Sequence, residues 1–236
     1  MRALLGMAVA LALAWAEPAP AVIIASGDGT GNTSAPADDP GWDNVVNLNG
    51  LTGVYLGNGW VLTANHVGAR DMILGSDVFE PVPGSKVQLE TTGSLADLAV
   101  FQILREPGLP EIEISASAPP LGADVVMIGH GRDRGAETSA CLPLRQGWLW
   151  ETTKTMRWGT NAVEEQGINV SIAGTLTRSF STEFSASRQT DHEAQAAIGD
   201  SGGAVFLKSG ETWELAGIMT AIGTWGECNQ GAALYS

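Results

Sequence analysis

The pentapeptide Gly199-Asp200-Ser201-Gly202-Gly203 contains the side chain best suited to chemistry in this chain. A serine between glycines is a typical nucleophile, because its small neighbours let a substrate carbonyl approach closely. Backbone N–H groups in such a turn can point at the negative charge that develops on the carbonyl oxygen. A serine hydroxyl is a weak nucleophile at neutral pH, so it needs a histidine base that a third group orients. The pentapeptide therefore predicts acyl-transfer chemistry at Ser201.

The order of residues along the chain separates two arrangements that share this pattern. None of the histidines follows the serine; they are His66, His130 and His192. The nucleophile elbow of α/β-hydrolases needs a histidine after the serine and is therefore excluded. The other arrangement needs a histidine, then an aspartate, then the serine. His66 and Asp97 supply that order with Ser201.

Three short segments carry a resemblance to the chymotrypsin/trypsin-like serine protease family. Thr63-Ala64-Asn65-His66 resembles the T-A-A-H segment of that family, and Asp97-Leu98-Ala99-Val100 resembles its D-I-A-L segment. The pentapeptide around Ser201 matches G-D-S-G-G throughout. The resemblance runs from about Trp42 to the C-terminus, and it implies a secreted member of the bacterial type.

The resemblance implies a role for each residue of a catalytic triad. Ser201 would attack the scissile carbonyl, His66 would take its proton and later protonate the leaving amine, and Asp97 would orient His66. The backbone N–H groups of Gly199 and Ser201 would form the oxyanion hole. The implied activity is that of a serine endopeptidase that works through an acyl-enzyme intermediate, without metal or cofactor. An inert protease-like binding protein, and an esterase that uses the same triad, stay open as alternatives.

The same resemblance places the substrate pocket at four residues: Gln195, Thr220, Ala221 and Ile222. Trypsin-like enzymes have an aspartate on the pocket floor where this chain has Gln195, so a neutral pocket is expected. Thr220 also falls where the family has a serine that braces the triad aspartate. A plain strand threonine is an equally good interpretation of Thr220.

Short β-branched and aromatic runs alternate with turns from Asn44 onward, and no long stretch has a sustained helical period. This pattern predicts an all-β protein built as antiparallel barrels or a sandwich. The resemblance implies two antiparallel six-stranded β-barrels with the active site between them. The family usually continues into a C-terminal helix, which is expected to be absent here because the sequence departs from the family at Tyr235-Ser236. We expect a signal peptide at 1–16, an N-terminal arm at 17–41, a first barrel at 42–117 and a second barrel at 118–236.

The N-terminus predicts export from the cytoplasm. Arg2 precedes an almost unbroken apolar stretch at 3–13, and Ala14-Trp15-Ala16 fits the small-x-small rule for signal peptidase, with a cut before Glu17. The mature protein is expected to be secreted or periplasmic, with no membrane span. The formal net charge of −14 argues against nucleic acid as a partner. A protein or peptide substrate is the expected partner.

Two features bear on maturation. By resemblance, Asp200 pairs with a new N-terminal ammonium or with an internal cation. Val22-Ile23-Ile24 lies about where the family has its activated N-terminus, so a cut before Ile23 or Ile24 is expected. Export also permits a disulfide, and the resemblance implies one between Cys141 and Cys228, because the loops that carry them are neighbours in that fold.

Overall fold

Antiparallel strands make up nearly all of the regular structure. The computed structural model describes residues 22–91, 93–140, 145–185, 187, 190–223 and 232–234. The strands are β1 (Ile23–Ile24), β2 (Val45–Asn47), β3 (Thr52–Gly57), β4 (Trp60–Thr63), β5 (Met72–Leu74), β6 (Asp77–Phe79), β7 (Val87–Thr91), β8 (Ser94–Gln102), β9 (Asp124–Gly129), β10 (Arg132–Ala140), β11 (Arg145–Lys154), β12 (Arg157–Ile172), β13 (Thr175–Thr182), β14 (Ala194–Gln195), β15 (Ala204–Ser209), β16 (Thr212–Ile218) and β17 (Ala232–Leu234). The helical structure within these ranges is one 3₁₀ turn, Trp42–Asn44. None of it is long and apolar enough to cross a membrane.

The first half of the described chain forms a seven-stranded sheet in the order β6-β5-β2-β3-β4-β8-β7. The turn between β3 and β4 is the Gly57-Asn58-Gly59 break, and all three residues have positive φ, which glycine and asparagine tolerate best. Tyr55 and Phe101 anchor a buried apolar cluster inside this sheet. Along β4 and the second half of β8, buried and partly exposed residues alternate, as expected for strands with one face on the core.

The second half forms a five-stranded sheet in the order β13-β12-β9-β15-β16. In its interior, Met127, Val163 and Val205 pack in one apolar cluster with Val22 and Ile24 of the N-terminal segment. A third apolar cluster, which includes Val54 and Phe206, joins strands of both sheets. The result is two curled half-barrels that share a packed interface, and the cleft above that interface holds the candidate site.

The predicted all-β, two-barrel fold is confirmed. Among the described residues, the two larger sheets have seven and five strands. Strand β17 pairs with β11 in a separate three-stranded sheet of order β10-β11-β17.

The expected surface arm is wrong for residues 22–25. These residues are buried, and β1 pairs with β14 through Ile23 opposite Gln195 and Ile24 opposite Ala194. The physical reason is the apolar run itself, which the second barrel removes from water. The N-terminal segment is therefore part of the second barrel and ends beside the nucleophile loop.

The predicted disulfide lies outside the described residues, because neither Cys141 nor Cys228 is among them. The strands that follow the two cysteines, β11 and β17, are antiparallel neighbours, with Gly147 opposite Leu234. The disulfide stays a prediction.

Candidate active site

His66 and Asp97 meet where two neighbouring strands of the first sheet pass each other. His66 lies in the turn directly after β4, and Asp97 lies within β8, which pairs with β4 through Thr63 and Ala99. The His66 ring Nδ1 is 2.7 Å from Asp97 Oδ2, and the His66 backbone N–H donates to Asp97 Oδ1 at 2.9 Å. A carboxylate only accepts, so Nδ1 carries the proton and Nε2 is left as the acceptor.

Burial differs sharply within this pair. The side chain of Asp97 is 2% exposed and that of His66 is 37% exposed. A buried carboxylate needs donors, and His66 supplies one to each oxygen. The ring is thus held by Asp97 at its Nδ1 atom, while part of the His66 side chain stays exposed.

The loop that carries Ser201 runs between β14 and β15 and packs on the first sheet. Gly202 has φ of +86°, and a Cβ there would lie 2.1 Å from the Thr52 carbonyl oxygen and 2.2 Å from Thr63 Oγ1. Only glycine fits this approach. Because Thr63 ends the strand that leads to His66, the close contact brings Ser201 to the same place.

The Ser201 hydroxyl is half-buried, and within the described residues it makes no hydrogen bond, to the His66 ring or to any other group. A hydrogen bond from nucleophile to base is often long in a protein without substrate and shortens in the complex. The chemistry available here is proton transfer from the hydroxyl to Nε2 as the serine attacks.

Thr52 clamps the nucleophile loop and was missed by sequence reasoning. Its hydroxyl donates to the Gly199 carbonyl oxygen at 2.8 Å and accepts from the His130 backbone N–H at 2.9 Å. Its backbone N–H donates to the Ser201 carbonyl oxygen at 3.2 Å. Nothing in the sequence marks Thr52, because a threonine at the start of a strand is ordinary.

The two N–H groups expected to form an oxyanion hole have no acceptor in the part of the chain that is described. Neither Gly199 nor Ser201 donates its backbone N–H to the protein there. Gly199 has φ of +107°, a conformation that favours glycine, and a Cβ would meet the His130 carbonyl and Lys154 Nζ. Two free donors on one tight turn are suited to stabilise a developing negative charge on oxygen.

Asp200 is fully buried beneath that turn. Its Oδ2 accepts from the Ala197 N–H at 2.7 Å, and its Oδ1 has no hydrogen-bond partner among the described groups. Burial raises the pKa of Asp200 to about 7, against the opposing effect of the N–H groups of Ala197, Gly131 and Val22. The carboxyl is thus packed beside the start of the described chain without a counter-ion.

Lys154 is the internal cation nearest to Asp200, but it does not pair with it. Its ammonium donates to the Gly50 carbonyl oxygen, and no ion pair links it to Asp200 in the described structure. Burial, and then the neighbouring Arg132, lower the pKa of Lys154, while Asp200 opposes that shift. Lys154 therefore acts on Asp200 through electrostatic attraction, without a direct ion pair in the described structure.

A cavity of about 1130 Å³ opens beside the nucleophile loop and includes all four residues expected in the substrate pocket. These are Gln195, Thr220, Ala221 and Ile222. Much of the remaining wall is apolar, including Met127, Phe180, Ala196 and Val205. Charged residues on the described wall are Arg178 and Glu183. Gln195, a neutral amide, is thus part of the wall of this cavity.

Thr220 lines this cavity, and within the described residues it makes no hydrogen bond to Asp97. The hydroxyl that does reach Asp97 belongs to Thr177 on β13, which accepts from the Asp97 backbone N–H at 2.8 Å. No local pattern indicates this contact, because Asp97 and Thr177 are 80 positions apart in the chain.

Comparisons with known proteins agree with this geometry. The family of the trypsin-like peptidase domain matches residues 51–218, a stretch that contains His66, Asp97 and Ser201. The chain belongs to this family. As a trypsin-like peptidase it is a hydrolase of the serine endopeptidase type. A comparison with curated proteins found no match.

Two solved structures share the fold of this trypsin-like peptidase. An inactive mutant form of Rv3671c from M. tuberculosis is 17% identical, with 86% of each chain covered and a TM-score of 0.54. The NS6 protease from murine norovirus 1 is also 17% identical, with 83% of this chain and 90% of that chain covered and a TM-score of 0.52. At this identity the likeness extends to the fold alone.

Proposed function

We propose that the protein is a secreted serine endopeptidase in which His66, Asp97 and Ser201 form the catalytic triad. The observation that carries the proposal is the 2.7 Å contact between His66 Nδ1 and the buried Asp97 carboxylate. That contact leaves Nε2 as the acceptor of the ring. Within the described residues, the Ser201 hydroxyl and the backbone N–H groups of Gly199 and Ser201 have no other partner.

The reaction proceeds in two halves. The Ser201 oxygen attacks the scissile carbonyl as its proton passes to His66 Nε2, and the oxyanion receives hydrogen bonds from the N–H groups of Gly199 and Ser201. His66 then protonates the leaving amine, which leaves an ester on Ser201. Water repeats the sequence with the acyl-enzyme and releases the acid. Asp97 stabilises the imidazolium in both halves.

The pocket favours uncharged, apolar side chains before the cut bond. A lysine or arginine side chain would meet the neutral amide of Gln195, and burying a charge against an amide and an apolar wall is costly. Apolar side chains of moderate size gain from the contacts with Met127, Val205 and Ile222. Cleavage after such residues is the expected specificity.

Activation is proposed to depend on Val22. This residue is fully buried, and its backbone N–H acts on the Asp200 carboxyl. Cutting the chain before Val22 would turn that N–H into an ammonium in the same place and supply the missing counter-ion. A cut before Ile23 or Ile24 would remove this group, so the expected cut moves to the bond before Val22.

Export and activation are then proposed to be one event. Ala19-Pro20-Ala21 fits the small-x-small rule as well as Ala14-Trp15-Ala16 does, and it ends directly before Val22. Signal peptidase acting there would release the protein and create the activated N-terminus. The N-terminal residue of the exported protein decides between a start at Glu17 and a start at Val22.

Labelling with a fluorophosphonate tests the proposed function, with Ser201→Ala as the matched control. The expected result is one adduct on Ser201 of the protein that begins at Val22, and none on the variant. The absence of labelling on the folded protein would favour the inert binding protein. Labelling together with cleavage of esters and not of peptides would favour the esterase.

A further inference from the structure

A hydrogen bond links the five-stranded sheet to Asp97 of the seven-stranded sheet. The Asp97 backbone N–H donates to Thr177 Oγ1 at 2.8 Å, and Thr177 is 4% exposed. Asp97 lies on β8, whereas Thr177 lies on β13, the edge strand of the five-stranded sheet. The contact therefore spans the cleft between the two barrels.

The strand pairing explains why this N–H group needs a distant partner. The ladder between β7 and β8 is irregular here: Gln88 pairs with Ala99 and Glu90 pairs with Leu95, so the register shifts across Asp97. The ladder to β4 ends with Ala99 opposite Thr63. Neither neighbouring strand pairs with Asp97, and a buried N–H without an acceptor is strongly disfavoured. Thr177 supplies that acceptor.

The orientation of the Asp97 carboxylate depends on the position of its backbone. Both oxygens accept from His66, and within the described residues no other group donates to them. The family's brace from the strand at Thr220 is not formed. The backbone hydrogen bond to Thr177 is thus a further restraint on Asp97, in addition to its contacts with His66.

The hairpin of β12 and β13 is held in place at a second point. The Phe180 ring packs on Gly217, where an added Cβ would lie 2.9 Å from the ring, and Phe180 also lines the cavity. Thr177 lies directly opposite Val170 in the hairpin ladder. When this hairpin packs on the two sheets, Thr177 contacts Asp97 and, at the same time, Phe180 forms part of the cavity wall.

We propose that Thr177 is a positioning residue of the active site, through which the β12–β13 hairpin holds Asp97, and hence His66, in its reactive orientation. The proposal rests on the proposed function. It predicts that a protein with an undocked hairpin keeps its triad residues but loses their alignment.

The first test compares Thr177→Val, which removes the acceptor at constant volume, with Thr177→Ser, which keeps it. We expect the valine variant to lose about tenfold to a hundredfold in kcat with little change in KM, and the serine variant to recover most of that loss. The matched control is Thr175→Val, whose hydroxyl bonds only to the Ile172 carbonyl oxygen within the hairpin turn. Equal activity of the valine variant and the wild type would overturn the proposal.

A double-mutant comparison separates positioning from general stability. Thr177→Val is repeated in an Asp97→Asn background, and the rate of fluorophosphonate labelling is measured for each variant. If Thr177 acts through Asp97, its loss has little further effect there. The same fold-loss in both backgrounds would contradict the proposal and indicate a purely structural residue.

A spectroscopic readout keeps this test apart from the proposed function. The NMR resonance of the His66 Nδ1 proton reports its hydrogen bond to Asp97 whether or not the protein is active. We expect this resonance in the wild type and in Thr177→Ser, and its loss or broadening in folded Thr177→Val. An unchanged resonance in the valine variant would overturn the inference, whereas an unlabelled wild type would overturn only the proposed function.

Discussion

Single hydroxyl groups hold the reactive loop at the scale of the residue. Thr52 contacts the loop at the carbonyl oxygens of Gly199 and Ser201, and Thr63 donates to the Thr52 carbonyl oxygen at 2.8 Å. Both threonines are fully buried. Thr52 thus occupies the carbonyl oxygens of Gly199 and Ser201, whose own backbone N–H groups have no acceptor among the described residues.

Thr52→Val tests this clamp, because it keeps the side-chain volume and removes the hydroxyl. The Gly199 carbonyl and the His130 N–H would then lack partners, which should lower the free energy of unfolding by about 1–3 kcal/mol. We expect kcat/KM for peptide cleavage to fall by about tenfold or more, because the donors of the turn lose their alignment. The control is Thr160→Val, which removes the bond to Thr190 Oγ1 and the acceptor of the His192 backbone N–H. An equal loss of activity in both variants would contradict the clamp.

Asp97→Asn tests the part of the triad that the geometry describes best. An asparagine fills the same space but can present its amide donor to the ring, which disfavours a proton on Nδ1 of His66. We expect kcat to fall by about 10⁴ with a native far-UV circular dichroism spectrum. A variant that retains more than about a tenth of the wild-type kcat would show that Asp97 is not the orienting group.

Paired strands and hairpins position these residues at the scale of the element. The strand β1 is short, but both of its residues, Ile23 and Ile24, are buried in the second barrel against β14. Ile23→Ala should lower the free energy of unfolding in urea by about 2–5 kcal/mol. Ile114→Ala is the control, because Ile114 is exposed and should change stability by less than about 0.5 kcal/mol. Equal effects would mean that the N-terminal segment is not docked in solution.

Local pattern accounts for some elements and not for others. Some elements were predictable because residues adjacent in the sequence determine them. These are the turn at Gly57-Asn58-Gly59 and the apolar runs of β3, β4 and β9. The hairpin of β12 and β13 was not predicted in full, since β13 is rich in threonine and serine and lacks an apolar run. Likewise the triad candidates follow from short motifs, whereas Thr52 and Thr177 matter only through contacts between distant segments.

Charge and processing are linked at the scale of the whole molecule. Burial raises the pKa of Asp200 to about 7, above its ordinary value of 3.8, so the folded chain that continues before Val22 holds the proton more tightly than the unfolded chain does. The contribution of protonated Asp200 to the free energy of unfolding is complete below about pH 4. It is lost as the pH rises through about 7. A start at Val22 removes this penalty, because the ammonium stabilises the ionised carboxylate.

Urea unfolding between pH 4 and pH 7 tests this linkage. We expect the chain beginning at Glu17 to lose on the order of 4 kcal/mol relative to the chain beginning at Val22 across this interval. Asp200→Asn should abolish the difference between the two chains. Lys154→Met should leave it intact; if it removes the difference instead, Lys154 is the counter-ion of Asp200 and Val22 is not.

Digestion of a peptide library by the protein that begins at Val22 tests the central claim most directly, with Ser201→Ala digested in parallel. The account predicts cleavage of internal peptide bonds after apolar residues, little cleavage after lysine or arginine, and no cleavage by the variant. Cleavage of equal extent by the Ser201→Ala protein, or no cleavage by the folded protein that begins at Val22, would contradict it.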